Sequence, residues 1–230
     1  MSHEKISKYV KWTEDLVVNL DHINHEFENN GYTWDEATQT ARWTMPMIHP
    51  IHGSGGIPTQ HEGSCSNANK AALLERFLRV KDRCSAILEI GICQVGFETS
   101  TTKMIFDNKL PETIYVGIDI NDKLSLNDPS KNIHMIRGDS GDIDGNWAKM
   151  QALGITKLDF IFIDGWHTLN QVKKEWEYTR YMSDYCIVGM HDTTTHPGPK
   201  EFMAALNKDK WHVEENLCPE DWGIGFAWKK

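Results

Sequence analysis

Cysteine is sparse and unpaired: five residues (Cys65, Cys84, Cys93, Cys186 and Cys218) are scattered over 230 positions with no Cys-x-x-Cys among them. That excludes a disulfide framework or a cysteine ribbon around zinc, and an odd set of dispersed thiols reads as reduced cysteine in a cytoplasmic protein. Basic charge is short as well. Lys and Arg number 24 against 33 Asp and Glu, a net charge of −9, so neither nucleic acid nor an anionic membrane surface is an expected partner. No apolar run approaches the ~20 residues of a membrane span. The charged start Met1-Ser2-His3-Glu4-Lys5 leads into no signal-peptide core. Internal repeats and low-complexity tracts are missing too.

What is there suits a soluble globular chain, with 40% apolar and 25% charged residues, enough to bury one large core. Residues 66–230 carry the regular pattern and are read as the main domain; residues 1–65 are read as a helical and loop extension. In that extension, Ile6, Val10, Leu16, Val17, Leu20 and Ile23 fit a helix over 6–28. Residues 41–67 hold three prolines and four glycines around Trp43, Met45, Met47 and Ile48. They are read as a long packed loop, a candidate lid.

From residue 66 the chain alternates. A helix from Ser66 or Asn67 through Val80 precedes strands at 86–90, 114–118, 133–136, 158–163 and 186–190. Helical segments fall near 98–108, 144–152, 168–182 and 199–208. Such alternation predicts an α/β fold with a parallel sheet covered on both faces. Residues 211–215 and 223–228 are two strands with no helix between them, which predicts an antiparallel pair.

Each of the five parallel strands ends on polar residues. Glu89 lies in the first, followed by Gly91-Ile92-Cys93-Gln94-Val95-Gly96, Asp119 closes the second, and Asp139-Ser140 follow the third. Asp164-Gly165-Trp166-His167 closes the fourth and His191-Asp192 the fifth. In open parallel sheets, ligands bind beyond these strand ends, and a carboxylate after the second strand suits ribose hydroxyls. The Gly91–Gly96 loop lacks the middle glycine of a dinucleotide fingerprint, which counts against an NAD(P)-dependent oxidoreductase.

Leu88-Glu89-Ile90-Gly91…Gly96, Asp119, Gly138-Asp139-Ser140 and Asp164-Gly165-Trp166-His167, in this order, resemble a class I S-adenosylmethionine (SAM)-dependent methyltransferase. The Asp-Gly-x-His and His-Asp-Thr pair is similar to small-molecule O-methyltransferases related to macrocin and mycinamicin methyltransferases and to cephalosporin-hydroxylase-like proteins. The resemblance covers about 66–228 and departs at Val95, where relatives often carry glycine. It implies a Rossmann-like, doubly wound seven-stranded sheet, mostly parallel with an antiparallel last strand. It also implies that Glu89, Gly91 and Gly96 approach the methionine and ribose, that Asp119 holds the ribose, and that Asp139 and Ser140 flank the adenine, with Asp164 beside the cofactor.

An alcohol with a pKa of about 15 is a poor nucleophile and needs a base or a metal. His167, on the turn after Asp164, is the expected general base, an imidazole near neutral pKa. Asp164, His191 and Asp192 match the positions where metal-dependent relatives hold magnesium. His191 stands where some of them have a carboxylate, which weakens the case for magnesium or moves the preference towards a transition metal. His49, His52, His61 and His196 could also line the site, but are read first as loop histidines. The expected partner is a small hydroxylated acceptor, a sugar or natural product, with homo-oligomers open. Two other readings stay open: a non-methylating or regulatory, hydroxylase-like member of the fold, and an NAD(P) oxidoreductase.

Overall fold

The computed structural model describes residues 32–35, 40–43, 65, 67–92, 97–167, 169–194, 196–217 and 222–230. Strands β1 (Tyr32–Asp35) and β2 (Thr40–Trp43) form an antiparallel pair. Ala41–Trp43, expected to open the long loop, are therefore strand; the rest of that loop up to residue 64 and the 6–28 helix lie outside the described residues. The remaining strands are β3 (Ala86–Ile90), β4 (Ile114–Asp119), β5 (Ile133–Arg137), β6 (Leu158–Ile163), β7 (Met182–His191), β8 (Trp211–Leu217) and β9 (Ile224–Lys229). Helices are α1 (Asn67–Val80), α2 (Thr101–Asn108), α3 (Ile143–Ala152), α4 (Leu169–Trp176) and α5 (Pro197–Ala204). None of them is long and apolar enough to cross a membrane.

The seven later strands form one sheet in the order β5-β4-β3-β6-β7-β9-β8. β9 runs antiparallel to both its neighbours and all other pairs are parallel. Every residue of β3 and β6 is buried, as expected for central parallel strands, which read as continuous apolar runs. Alternation then sorts side chains by face. Ile87, Tyr115, Phe160 and Phe226 pack with Leu73 and Phe77 of α1 and Ile105 of α2. Leu88, Ile90, Val116 and Ile161 pack with Trp147 of α3, Val172 and Trp176 of α4, and Phe202 of α5.

Some boundaries moved. The Ser100 hydroxyl accepts the Lys103 N–H at 3.0 Å and caps α2, so the helix starts at Thr101 after a 3-10 turn, Phe97–Thr99. α4 tightens into a 3-10 turn at Glu177–Tyr181. α5 begins earlier than expected, with proline in its first turn, where a preset φ and a missing N–H cost nothing. β7 starts at Met182 because a bulge between Leu158 and Phe160 lets it pair further back along β6.

Strand order reverses at β3. The chain moves outward through β4 and β5, then returns by α3 to place β6 on the other side of β3. The crevice beyond the carboxyl ends of β3 and β6 is thus the topological switch point, where such sheets bind ligands.

Candidate active site

At that point the backbone is held tightly. The Asp164 N–H donates to the Ile90 carbonyl at 2.8 Å and the Gly91 N–H to the Ile118 carbonyl at 3.0 Å. Gly91 has φ +82°, and a Cβ there would lie 1.9 Å from the Asp164 carbonyl oxygen. Only glycine accepts both the left-handed turn and the close approach. Residues 93–96, including Gly96 and Val95, lie outside the described residues.

Asp119, 8% exposed, braces the same loop. Its Oδ2 accepts the Ile92 N–H at 2.9 Å and its Oδ1 the Asn121 N–H at 2.7 Å. Glu89 sits deeper than the sequence led us to expect. It is fully buried, and its Oε1 accepts from the Thr102 and Thr101 hydroxyls at 2.9 and 3.2 Å. Its Oε2 accepts from the Tyr115 hydroxyl at 2.5 Å. Burial pushes its pKa up to about 7 against those hydrogen bonds. Glu89 therefore faces the start of α2 and β4.

Beyond β5, Asp139 is exposed at the surface and its Oδ1 accepts from the Gly141 N–H at 2.7 Å and Gln171 Nε2 at 3.2 Å. The Ser140 hydroxyl donates to Glu175 Oε1 at 2.6 Å and accepts from Gln171 Nε2 at 2.9 Å. Burial moves the Glu175 pKa up to about 7. Gln171 and Glu175, one helical turn apart on α4, were missed in the sequence. The visible stripe Leu169–Val172–Trp176 masked a second, polar row that packs against β5's exit.

The acids and imidazoles after β6 and β7 come together. His191, fully buried, has Nδ1 3.1 Å from Asp164 Oδ1 and 3.5 Å from Asp192 Oδ1, and Nε2 3.2 Å from the Asn69 amide. His167 Nε2 lies 2.8 Å from Asp192 Oδ2 and 3.5 Å from Asp164 Oδ1. Burial disfavours charge on His167, but the Asp192 and Asp164 carboxylates outweigh it and raise its pKa to about 10. That value lies above the near-neutral one expected of the base. Burial likewise opposes charge on Asp192, yet His167 and His191 hold its carboxyl well below the usual range.

Asp192 adopts φ +61°, a strained position for a non-glycine residue and common at functional sites. Its Oδ1 is buried and receives no hydrogen bond among the described residues. Such an oxygen is costly unless a cation neutralises it. Asp164, His191 and Asp192 each offer a donor atom, all within 4.8 Å of one another, so these three residues could hold an ion, with His191 Nδ1 3.5 Å from the Asp192 Oδ1. His196, read as a loop residue, is buried beside His167 with ring centroids 4.4 Å apart. Cys65 is buried against His191, and burial keeps its thiol protonated despite the pull of that imidazole. Neither residue was marked by spacing, because both reach the cluster from loops.

No family model and no curated protein matches the chain; solved structures do. A Podospora anserina methyltransferase with SAH (S-adenosylhomocysteine) bound aligns over 91% of this chain and 94% of its own, with a TM-score of 0.51 and 14% identity. The apo TDP-rhamnose 3′-O-methyltransferase of calicheamicin biosynthesis aligns over 70% and 78%, with a TM-score of 0.51 and 15% identity. A mycinamycin-pathway methyltransferase in complex with Mg and SAH aligns over 69% of this chain but 49% of its own, about half its length, with a TM-score of 0.50 and 15% identity. With seven strands wound outward both ways from β3 and only β9 reversed, this chain has the Rossmann-like fold of class I SAM-dependent methyltransferases.

Proposed function

We propose that the chain is a SAM-dependent methyltransferase that modifies a hydroxyl on a small molecule, a sugar or hydroxylated natural product. The observation that carries the reading is one convergence at the switch point. The Gly91 turn, the buried Asp119 carboxylate and the Asp164–His167–Asp192 cluster all stand at adjoining strand ends. Asp119 uses one lone pair of each oxygen on a backbone N–H and keeps others for paired ribose hydroxyls. Trp166, 61% exposed and next in the chain to His167, offers a flat apolar face for an acceptor. The sugar O-methyltransferase among the similar structures supports a hydroxylated acceptor.

In the reaction, the bond between methyl carbon and sulfonium sulfur breaks with its electron pair left on sulfur, while the acceptor oxygen bonds to the methyl carbon and loses its proton. In this reading His167 receives that proton on Nδ1, while Asp192 fixes the ring through Nε2 at 2.8 Å. It must first release the proton that the two carboxylates hold on it. Asp164, Asp192 and His191 would hold a divalent cation, which when bound supplies positive charge to polarise an acceptor oxygen. Imidazolium and cation thus compete for the same two carboxylates.

Thermal melts with SAM, SAH, NAD⁺ and NADPH test the cofactor class. A ligand present at about 100 times its Kd adds ~2.7 kcal/mol, which raises Tm by roughly 5–10 °C for a chain of this size. A rise with SAM and SAH alone is the expected result. No rise with either sulfur ligand would overturn the reading.

A further inference from the structure

We propose that Asp192 is shared by two cation subsites. The second, made by His167, Asp192 and His196, takes a borderline transition-metal ion of the Zn²⁺ class and thereby withdraws His167 from proton transfer. Only this last consequence rests on the methyltransferase reading; the metal site does not.

The two oxygens of Asp192 face different partners. Oδ1 lies towards His191, 3.5 Å from its Nδ1, and accepts no hydrogen bond among the described residues. Oδ2 lies 2.8 Å from His167 Nε2 on the other side. His167, Asp192 and His196 each present one donor atom within 4.8 Å of the others. A tetrahedral ion with bonds of about 2.0–2.2 Å spaces its ligand atoms by roughly 3.3–3.6 Å, so small side-chain rotations close the set.

The backbone fixes two of the three donors in advance. The His196 N–H donates to the Asp192 carbonyl at 3.1 Å, closing the loop between them. The Thr194 N–H donates to the Trp222 carbonyl at 2.9 Å and the Thr193 N–H to the Gly223 carbonyl at 3.3 Å, which pins that loop to the entry of β9. The Trp222 ring lies nearly parallel to His196, at an 18° interplanar angle and 6.4 Å between centroids. Donors held on a braced loop bind with less ordering cost than donors on a free one.

Donor chemistry separates the subsites. Two carboxylates and one imidazole (Asp164, Asp192, His191) suit a harder ion. Two imidazoles and one carboxylate suit Zn²⁺, Co²⁺ or Ni²⁺ and offer Mg²⁺, which wants oxygen, a single ligand. With an ion on Nε2, the neutral His167 ring carries its proton on Nδ1 and has no lone pair left for the acceptor's proton.

The test measures metal binding to the full chain by equilibrium dialysis with Zn²⁺ in excess Mg²⁺, and by the visible spectrum of bound Co²⁺, alongside SAH binding by calorimetry. We expect Zn²⁺ to bind in the presence of Mg²⁺, with His196→Gln weakening it at least ~10–100-fold, the range for losing only a ligand's outer-shell support. SAH binding should be unchanged by that substitution, and His191→Gln should retain Zn²⁺. If His196→Gln does not fold, His167→Gln, at a partly exposed position, serves for the Zn²⁺ measurement alone. Zn²⁺ binding that survives His196→Gln at full strength, or is lost only with His191→Gln, would overturn the proposal, as would complete displacement by Mg²⁺. Wild-type protein that binds Zn²⁺ but not SAH would leave the metal site standing and remove the methyltransferase reading.

Discussion

Three hydroxyls around one buried carboxylate, from Thr101, Thr102 and Tyr115, do not fully offset the burial of Glu89, so its pKa stands at about 7 against an ordinary value of 4.5. The folded state therefore holds this proton more tightly than the unfolded state does. The resulting contribution to stability is complete below the unfolded value, declines as pH rises from about 4.5 to about 7, and is gone above it. Its size is ~3 kcal/mol, the energy of a shift of this order. Urea denaturation of Glu89→Gln across that range should show a shallower fall in stability than wild type. It should not become flat, because Glu175, also at about 7 and buried, contributes a slope of the same sign. Equal slopes in the two proteins would mean that Glu89 stays ionised throughout. The sequence marked Glu89 as an acid in need of a partner. It gave no means of finding the partners, because threonine on α2 and tyrosine on β4 are ordinary residues until the sheet register sets Glu89 opposite Gly117, two residues along from Tyr115.

Turns between elements carry the site, and Gly91 is the most constrained of them. Gly91→Ala would place a methyl group 1.9 Å from the Asp164 carbonyl oxygen in a backbone conformation of φ +82°. The contact is with backbone, so no rotamer change relieves it; either β3's exit or the 164–167 turn must shift. We expect a loss of at least ~2 kcal/mol in stability and a large loss of SAH affinity, read by melting and by calorimetry. An alanine variant with wild-type SAH affinity would show that the turn does not position the cofactor. At this level much was visible beforehand. The bounds of β3 and β6 follow from apolar runs closed by Gly91 and Asp164, and the glycine's role follows from its place after a buried strand. The turn that carries Asp192 and His196 was less visible. Its Thr193-Thr194-Thr195-His196 run has no periodicity, and it is organised by backbone hydrogen bonds to Trp222 and Gly223, nearly thirty residues away.

The sheet joins two hydrophobic clusters that share strands but not side chains. Ile87 of β3 faces α1 while Leu88 and Ile90 face α4, and the same alternation repeats through β4 and β6. Neither cluster can lose its order while the strands that carry both remain paired, which predicts a single unfolding transition. Phe77 on α1 and Trp147, Trp176 and Trp211 lie on opposite faces, so a change at one can be read at the other. Phe77 is fully buried and packs edge-on against Phe160 at 5.2 Å. Phe77→Ala should cost about 3–5 kcal/mol, the usual range for emptying such a site. Tryptophan fluorescence, dominated on the far face by those three indoles, should then shift to lower urea in step with the far-UV circular dichroism. If the indoles kept the wild-type midpoint while helix signal was lost early, the α1 face would be a separate cooperative unit. The sheet would then transmit far less between its faces than shared strands require, and the crevice between β3 and β6, which both faces support, would owe its rigidity to one side alone.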